Sequence, residues 1–94
     1  QDMDIYRFNY EIGYWLGEAY WGQGIMSAAL QQLVAYAFSE TEAQRLYAGV
    51  FEHNKGSARI LEKNGFRLVG VAEKKVYKQG EFLNEFLYER IKVV

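Results

Sequence analysis

The sequence predicts an α+β fold of the three-layer α/β/α kind, a mixed sheet of about four strands with two helices in the order β-α-β-α-β-β. Three observations lead there. An alternating run from Ile5 to Leu16 has the two-residue period of a strand, and the stretch from Gly24 to Glu40 has the 3.6-residue period of a helix. Two later glycines, Gly65 and Gly80, mark points where the chain must stop one element and turn into the next.

In the opening run Tyr6, Phe8, Tyr10, Ile12, Tyr14 and Leu16 fall on one face, with Arg7, Asn9, Glu11, Gly13 and Trp15 on the other. This is a long, half-buried strand. Along Gly24 to Glu40, Met26, Leu30, Leu33, Ala37 and Phe38 recur at helical spacing, so this helix packs against the sheet. Arg45 to Phe51 is apolar on both sides, as expected of an inner strand covered on both faces and joined to the first by a parallel crossover. Asn54 can cap a second helix, Lys55 to Asn64, which Gly65 ends in the left-handed conformation. Two strands follow, Arg67 to Tyr77 and Phe82 to Ile91, joined through Lys-Gln-Gly-Glu, which carries the glycine that a tight hairpin needs.

The chain has 94 residues, half of them hydrophobic, which suits one small domain. Nothing in the sequence covers the outer edge of the first strand, so residues 1–94 read as a single domain truncated at its N-terminal side. That aromatic edge is a surface on which a second copy could pair. The net charge of −1, with both signs spread along the chain, gives a nucleic-acid backbone no platform. With no cysteine and one histidine, His53, a thiolate nucleophile and a metal centre are not expected. Apolar runs stop short of a membrane span and no basic, apolar leader opens the chain, so a cytoplasmic, soluble protein is expected.

Tyr20 to Ala29 reads Tyr-Trp-Gly-Gln-Gly-Ile-Met-Ser-Ala-Ala, a glycine turn running into the first helix. No Ser, Thr, Asp or Asn stands at that helix start to accept from its first amides. A pyrophosphate fits there, since Gly22 and Gly24 allow close backbone approach and the helix dipole favours an anion. A plain connection capped by water fits equally well. Glu11 shares a strand face with Gly13 and Trp15, a position from which it could act as general base on an ammonium acceptor. Lys55, Arg59 and Lys63 repeat every four residues, which places three like charges on one helix face, with Glu62 as the nearest compensation. Tyr88 is either a packing residue or a proton donor lining an acceptor pocket.

Glu-Ile-Gly-Tyr-Trp-Leu (11–16), Tyr-Trp-Gly-Gln-Gly-Ile (20–25) and Asn-Lys-Gly-Ser-Ala-Arg-Ile-Leu-Glu-Lys-Asn-Gly-Phe (54–66) occur in one order and spacing. With these the chain resembles GNAT N-acetyltransferases of the RimJ/RimL type, matching the C-terminal part of that domain from its fourth strand onward. The resemblance implies acetyl-CoA as cofactor. Its pyrophosphate would rest on amides around Trp21, Gly22, Gln23, Gly24, Ile25 and Met26, and its pantetheine arm would pair with backbone near Trp15 and Leu16. Asn54 would contact the CoA arm, Ser57 would hydrogen-bond the departing thiolate, and Arg59 with Lys63 would reach the 3′-phosphate. The family's signature begins with Arg or Gln where this chain has Ala19, and the general-acid tyrosine of many relatives is replaced here by Leu61.

The activity implied is direct acetyl transfer to a primary amine, a protein N-terminus or a small amine, with Ser57 and Glu11 as the catalytic candidates. Two other readings stand beside it. One is a catalytically incomplete fragment that binds CoA or associates through its open strand edge, and the other a nucleotide-binding α/β module using the same glycine turn.

Overall fold

The structure is a computed structural model that describes residues 7–12 and 23–93, with backbone alone at residues 23 and 24. Its elements are β1 (Asn9–Glu11), α1 (Gln23–Glu40), β2 (Arg45–Phe51), α2 (Lys55–Lys63), β3 (Arg67–Lys78) and β4 (Glu81–Ile91). The four strands form one sheet in the order β1-β2-β4-β3. β1 runs parallel to β2 with Asn9, Tyr10 and Glu11 opposite Arg45, Leu46 and Tyr47, and the other pairings are antiparallel. The mixed sheet, the two helices and the parallel crossover through α1 are those the sequence predicts.

Local chemistry explains where the elements end. Gly65 at φ 83° lets its own amide return to the Glu62 carbonyl (3.1 Å) and that of Phe66 to Leu61 (3.0 Å), satisfying carbonyls that the last turn of α2 leaves open. Gln79 and Gly80, at φ 52° and 81°, form the two-residue turn of the β3–β4 hairpin. The first strand departs from expectation. Its ladder covers Asn9–Glu11 and a turn at Arg7 and Phe8 precedes it, the Phe8 carbonyl accepting from the amides of both Gln44 (2.8 Å) and Arg45 (3.2 Å). The rest of the expected strand, residues 5–6 and 13–16, lies outside the described residues.

Both helices bury their apolar sides in one core. Met26, Leu30, Val34 and Ala37 of α1 and Ile60 and Leu61 of α2 meet Leu46, Ala48, Val50 and Tyr88 of the sheet. The two helices thus make one layer, and β2, expected to be covered on both faces, is buried on one and half-buried on the other. The reason is that both helical stripes converge on the same strand face. The opposite face instead carries a polar string. Glu89 on β4 accepts from Arg45 on β2 (2.7 Å) and Arg67 on β3 (2.9 Å), and Arg45 in turn donates to Asn9 on β1 (3.2 Å).

The two guanidinium groups hold the Glu89 carboxyl below its ordinary value of 4.5, hydrogen bonds from Arg45 and then Arg67 outweighing burial. A depressed folded value means that the ionised form stabilises the fold above the unfolded carboxylate range, and that this contribution is lost as pH falls through the folded value. Glu89→Gln should therefore lower stability by about 1 kcal/mol at pH 7, Arg67 being largely exposed, and by less at pH 3. Urea unfolding at both pH values checks this, and an equal deficit at both would contradict it.

Candidate functional site

β1 and β2 form the only parallel pair among the described residues, and both are followed by a helix. The helices α1 and α2 therefore start beyond the same, carboxyl, end of that pair, where ligands of open α/β sheets characteristically bind. Each helix start presents amides that lack acceptors within the helix. α1 begins at Gln23 with no acidic side chain in its first turn, so the dipole there is not neutralised from within. Among the expected cradle residues, Gln23, Gly24, Ile25 and Met26 form this first turn, whereas Trp21 and Gly22 lie outside the described residues, as do Trp15 and Leu16. Ile25 is 62% exposed and Met26 3%, so the Met26 side chain belongs to the core and its backbone alone can serve the turn.

At the second helix, Asn54 is the N-cap. Its Oδ1 accepts from the Ser57 amide at 3.2 Å, and its own amide donates to the Phe51 carbonyl at 2.8 Å. Asn54 is exposed, and its side-chain NH2 has no partner among the described residues. Ser57 is half-buried one turn on, its hydroxyl likewise without a partner among the described residues.

The basic residues of α2 separate. Lys55 and Arg59 line a groove of about 250 Å³ with Phe51, Glu62 and Tyr88, whereas Lys63 lines another of about 520 Å³ with Ser27, Phe38 and Arg90. The expected pairing of Arg59 with Lys63 is thus not gathered in one cavity. Glu11 stands exposed opposite Tyr47 on the sheet face away from the helices, so Glu11 and Ser57 approach the end of the parallel pair from opposite sides. Tyr88 is a core residue, 3% exposed, whose hydroxyl donates to Glu62 at 3.3 Å. Burial first, and then the charge and hydrogen bond of Glu62, raise its pKa and keep it neutral. His53 is exposed and stacks on Phe51 with centroids 6.3 Å apart. No group of three potential metal ligands and no helix long and apolar enough to cross a membrane occurs among the described residues.

One residue escaped the sequence reading. Asn64 is 8% exposed and its NH2 donates to Ile60 O (2.9 Å) and to Ser27 Oγ (3.2 Å) on α1. Standing before Gly65, it reads in sequence as part of a helix stop, and nothing local signals its burial.

Residues 1–67 match the family model described as "Acetyltransferase (GNAT) domain". A Bacillus subtilis (strain 168) protein named "Probable N-acetyltransferase YjcK" is 48% identical over 73% of this chain and 38% of its own length. The "Ribosomal-protein-serine acetyltransferase" of Escherichia coli (strain K12) is 41% identical over 86% of this chain and 45% of its own. Among solved structures, the RimL ribosomal L7/L12 alpha-N-protein acetyltransferase in complex with coenzyme A superposes with a TM-score of 0.70 at 30% identity, covering 79% of this chain and 42% of that one. The chain spans less than half the length of each of these relatives.

Asn54→Ala removes the acceptor for the Ser57 amide and should cost about 1 kcal/mol of stability. Asn54→Asp, which keeps that acceptor, should remain within about 0.5 kcal/mol of the wild type. Denaturant midpoints of the two variants check this order.

Proposed function

The chain belongs to the GNAT acetyltransferase family, and from that premise we propose that it binds acetyl-CoA and transfers the acetyl group directly to a primary amine, in the cytoplasm. The observation that carries the reading is the shared origin of α1 and α2 at the carboxyl end of β1 and β2. With a helix starting beyond the carboxyl end of each strand, one start offers amides to a diphosphate and the other to a pantetheine arm.

The residues present fit the cofactor. The first-turn amides of α1, from Gln23 to Met26, would hold the diphosphate, together with the amides of Trp21 and Gly22. Asn54 suits the arm because its two ends do different work: Oδ1 caps α2, and the NH2 is left to donate to an amide carbonyl. Trp15 and Leu16 would supply the strand backbone against which the arm lies. Arg59, in the groove it shares with Lys55, would attract the anionic end of the molecule, while Lys63 faces a separate groove beside Arg90. When bound, acetyl-CoA supplies an activated thioester. The chain's own contribution is to hold the amine beside that group, to accept its proton through Glu11 directly or through water, and to offer the Ser57 hydroxyl to the departing sulfur. No covalent intermediate on the protein is needed. The acceptor is a protein N-terminus or a small amine, and the ribosomal-protein acetyltransferases among the relatives support the former.

Calorimetric titration with coenzyme A tests this reading, and absence of binding would overturn it. Asn54→Asp should bind the cofactor roughly 10-fold more weakly, since it loses a donor and adds a repelling charge. Ser57→Ala should leave cofactor affinity near the wild-type value and lower turnover of an amine substrate about 10-fold. Binding without turnover of any amine by the wild type would instead favour a CoA-binding fragment lacking catalysis.

A further inference from the structure

Asn64 closes a three-way junction. Its side-chain NH2 reaches Ser27 on α1 (Oγ 3.2 Å) while also donating to Ile60 O within the last turn of α2 (2.9 Å). Its own carbonyl accepts from Arg90 Nη1 on β4 at 2.6 Å, and that guanidinium lies 6.0 Å from the centre of the Phe38 ring of α1. The orientation of the amide is determined by its neighbours, because carbonyl oxygens only accept and the NH2 must face them. Asn64 is a buried polar side chain, and it joins α1 to α2. Ser27 stands in the second turn of α1, four residues after Gln23. The nine-residue helix α2 is about 13 Å long and rigid on that scale, so its C-terminal anchor also sets where Asn54 and Ser57 stand.

We infer that Asn64, through its hydrogen bond to Ser27, is a positioning residue that sets the spacing between the α1 start and the α2 start, and so the fit of a ligand that must touch both. The inference rests on the coenzyme A reading above. A ligand long enough to reach both helix starts feels their separation, whereas one that touches a single start does not. The junction therefore selects for the whole cofactor over its parts.

The test compares three probes, coenzyme A, ADP and pantetheine, on the wild type, Ser27→Ala, Ser27→Thr and the double variant Ser27→Ala/Asn64→Ala, by calorimetry or NMR titration. Ser27→Ala should weaken coenzyme A about 3- to 10-fold, the value of one neutral hydrogen bond, and leave ADP and pantetheine within about 2-fold of wild type. Ser27→Thr, which keeps the hydroxyl, should restore coenzyme A affinity. The double variant, if it folds, should lose little coenzyme A affinity beyond Ser27→Ala, since the other strong Asn64 bond, to Ile60 O, lies within α2 and does not join the helices. Should it not fold, the two Ser27 variants decide alone. Unchanged coenzyme A affinity in Ser27→Ala overturns the inference, as does an equal loss for all three probes, which would mean general loosening. A wild type that does not bind coenzyme A overturns the functional reading and this inference with it, whereas wild-type binding with an indifferent Ser27→Ala sinks this inference alone.

Discussion

The parallel pairing of β1 with β2 is the constraint on which the rest of the structure depends. Two neighbouring strands pointing the same way need a crossover between them, and the crossover helix must start where the first strand ends. The next connection leaves β2 from that same end, through Asn54, into α2. Antiparallel neighbours would have alternated their loops between the two ends of the sheet. A single parallel register, three residue pairs long, is enough to place both helix starts at the same end of the sheet.

From that pairing follows a division of labour between the faces of the sheet. The helix side is dry: Leu30, Leu46 and Leu61 are fully buried, and Tyr88 and Asn64 find partners there, so no buried polar side-chain atom of the described residues is left without one. The other side is partly exposed and ionic, with Glu89 holding Arg45 and Arg67 across three strands. In the proposed function, a thioester arriving from one side and an ammonium group from the other would use this asymmetry. Glu11 stands exposed on the side away from the helices, where a cationic amine would lose less of its hydration on approach.

What the sequence made legible is what local chemistry dictates. The Asn54 cap, the Gly65 stop and the Gln79-Gly80 turn each depend on a backbone preference of one or two residues, and each stands where the sequence predicts. The β-bulges of β3 were not legible, because they depend on partners. Lys74 reaches φ 52° with its amide donating to the Asn84 side chain at 2.9 Å, ten residues away across the hairpin. The turn at Arg7 and Phe8 was not legible either, since the alternating pattern of the strand runs through both residues. At the candidate site, the cap and its spacing to Ser57 could be read. The parting of Arg59 from Lys63 could not, because helical periodicity puts the two side by side and only the packing of Tyr88 and Arg90 assigns them to different grooves.

Asn54 shows why a structural reading and a functional one need not compete. A serine or aspartate in its place could accept from the Ser57 amide equally well, so capping alone does not call for asparagine. What asparagine adds is a second, oppositely polarised end, and the hydrogen bond at Oδ1 fixes the plane of the amide and with it the direction in which the NH2 points. The cap is thus the device that orients the donor. If Asn54 binds the cofactor arm as proposed, a donor oriented before the ligand arrives would lose little side-chain entropy on binding and would contribute more to affinity than a freely rotating amide at the same position.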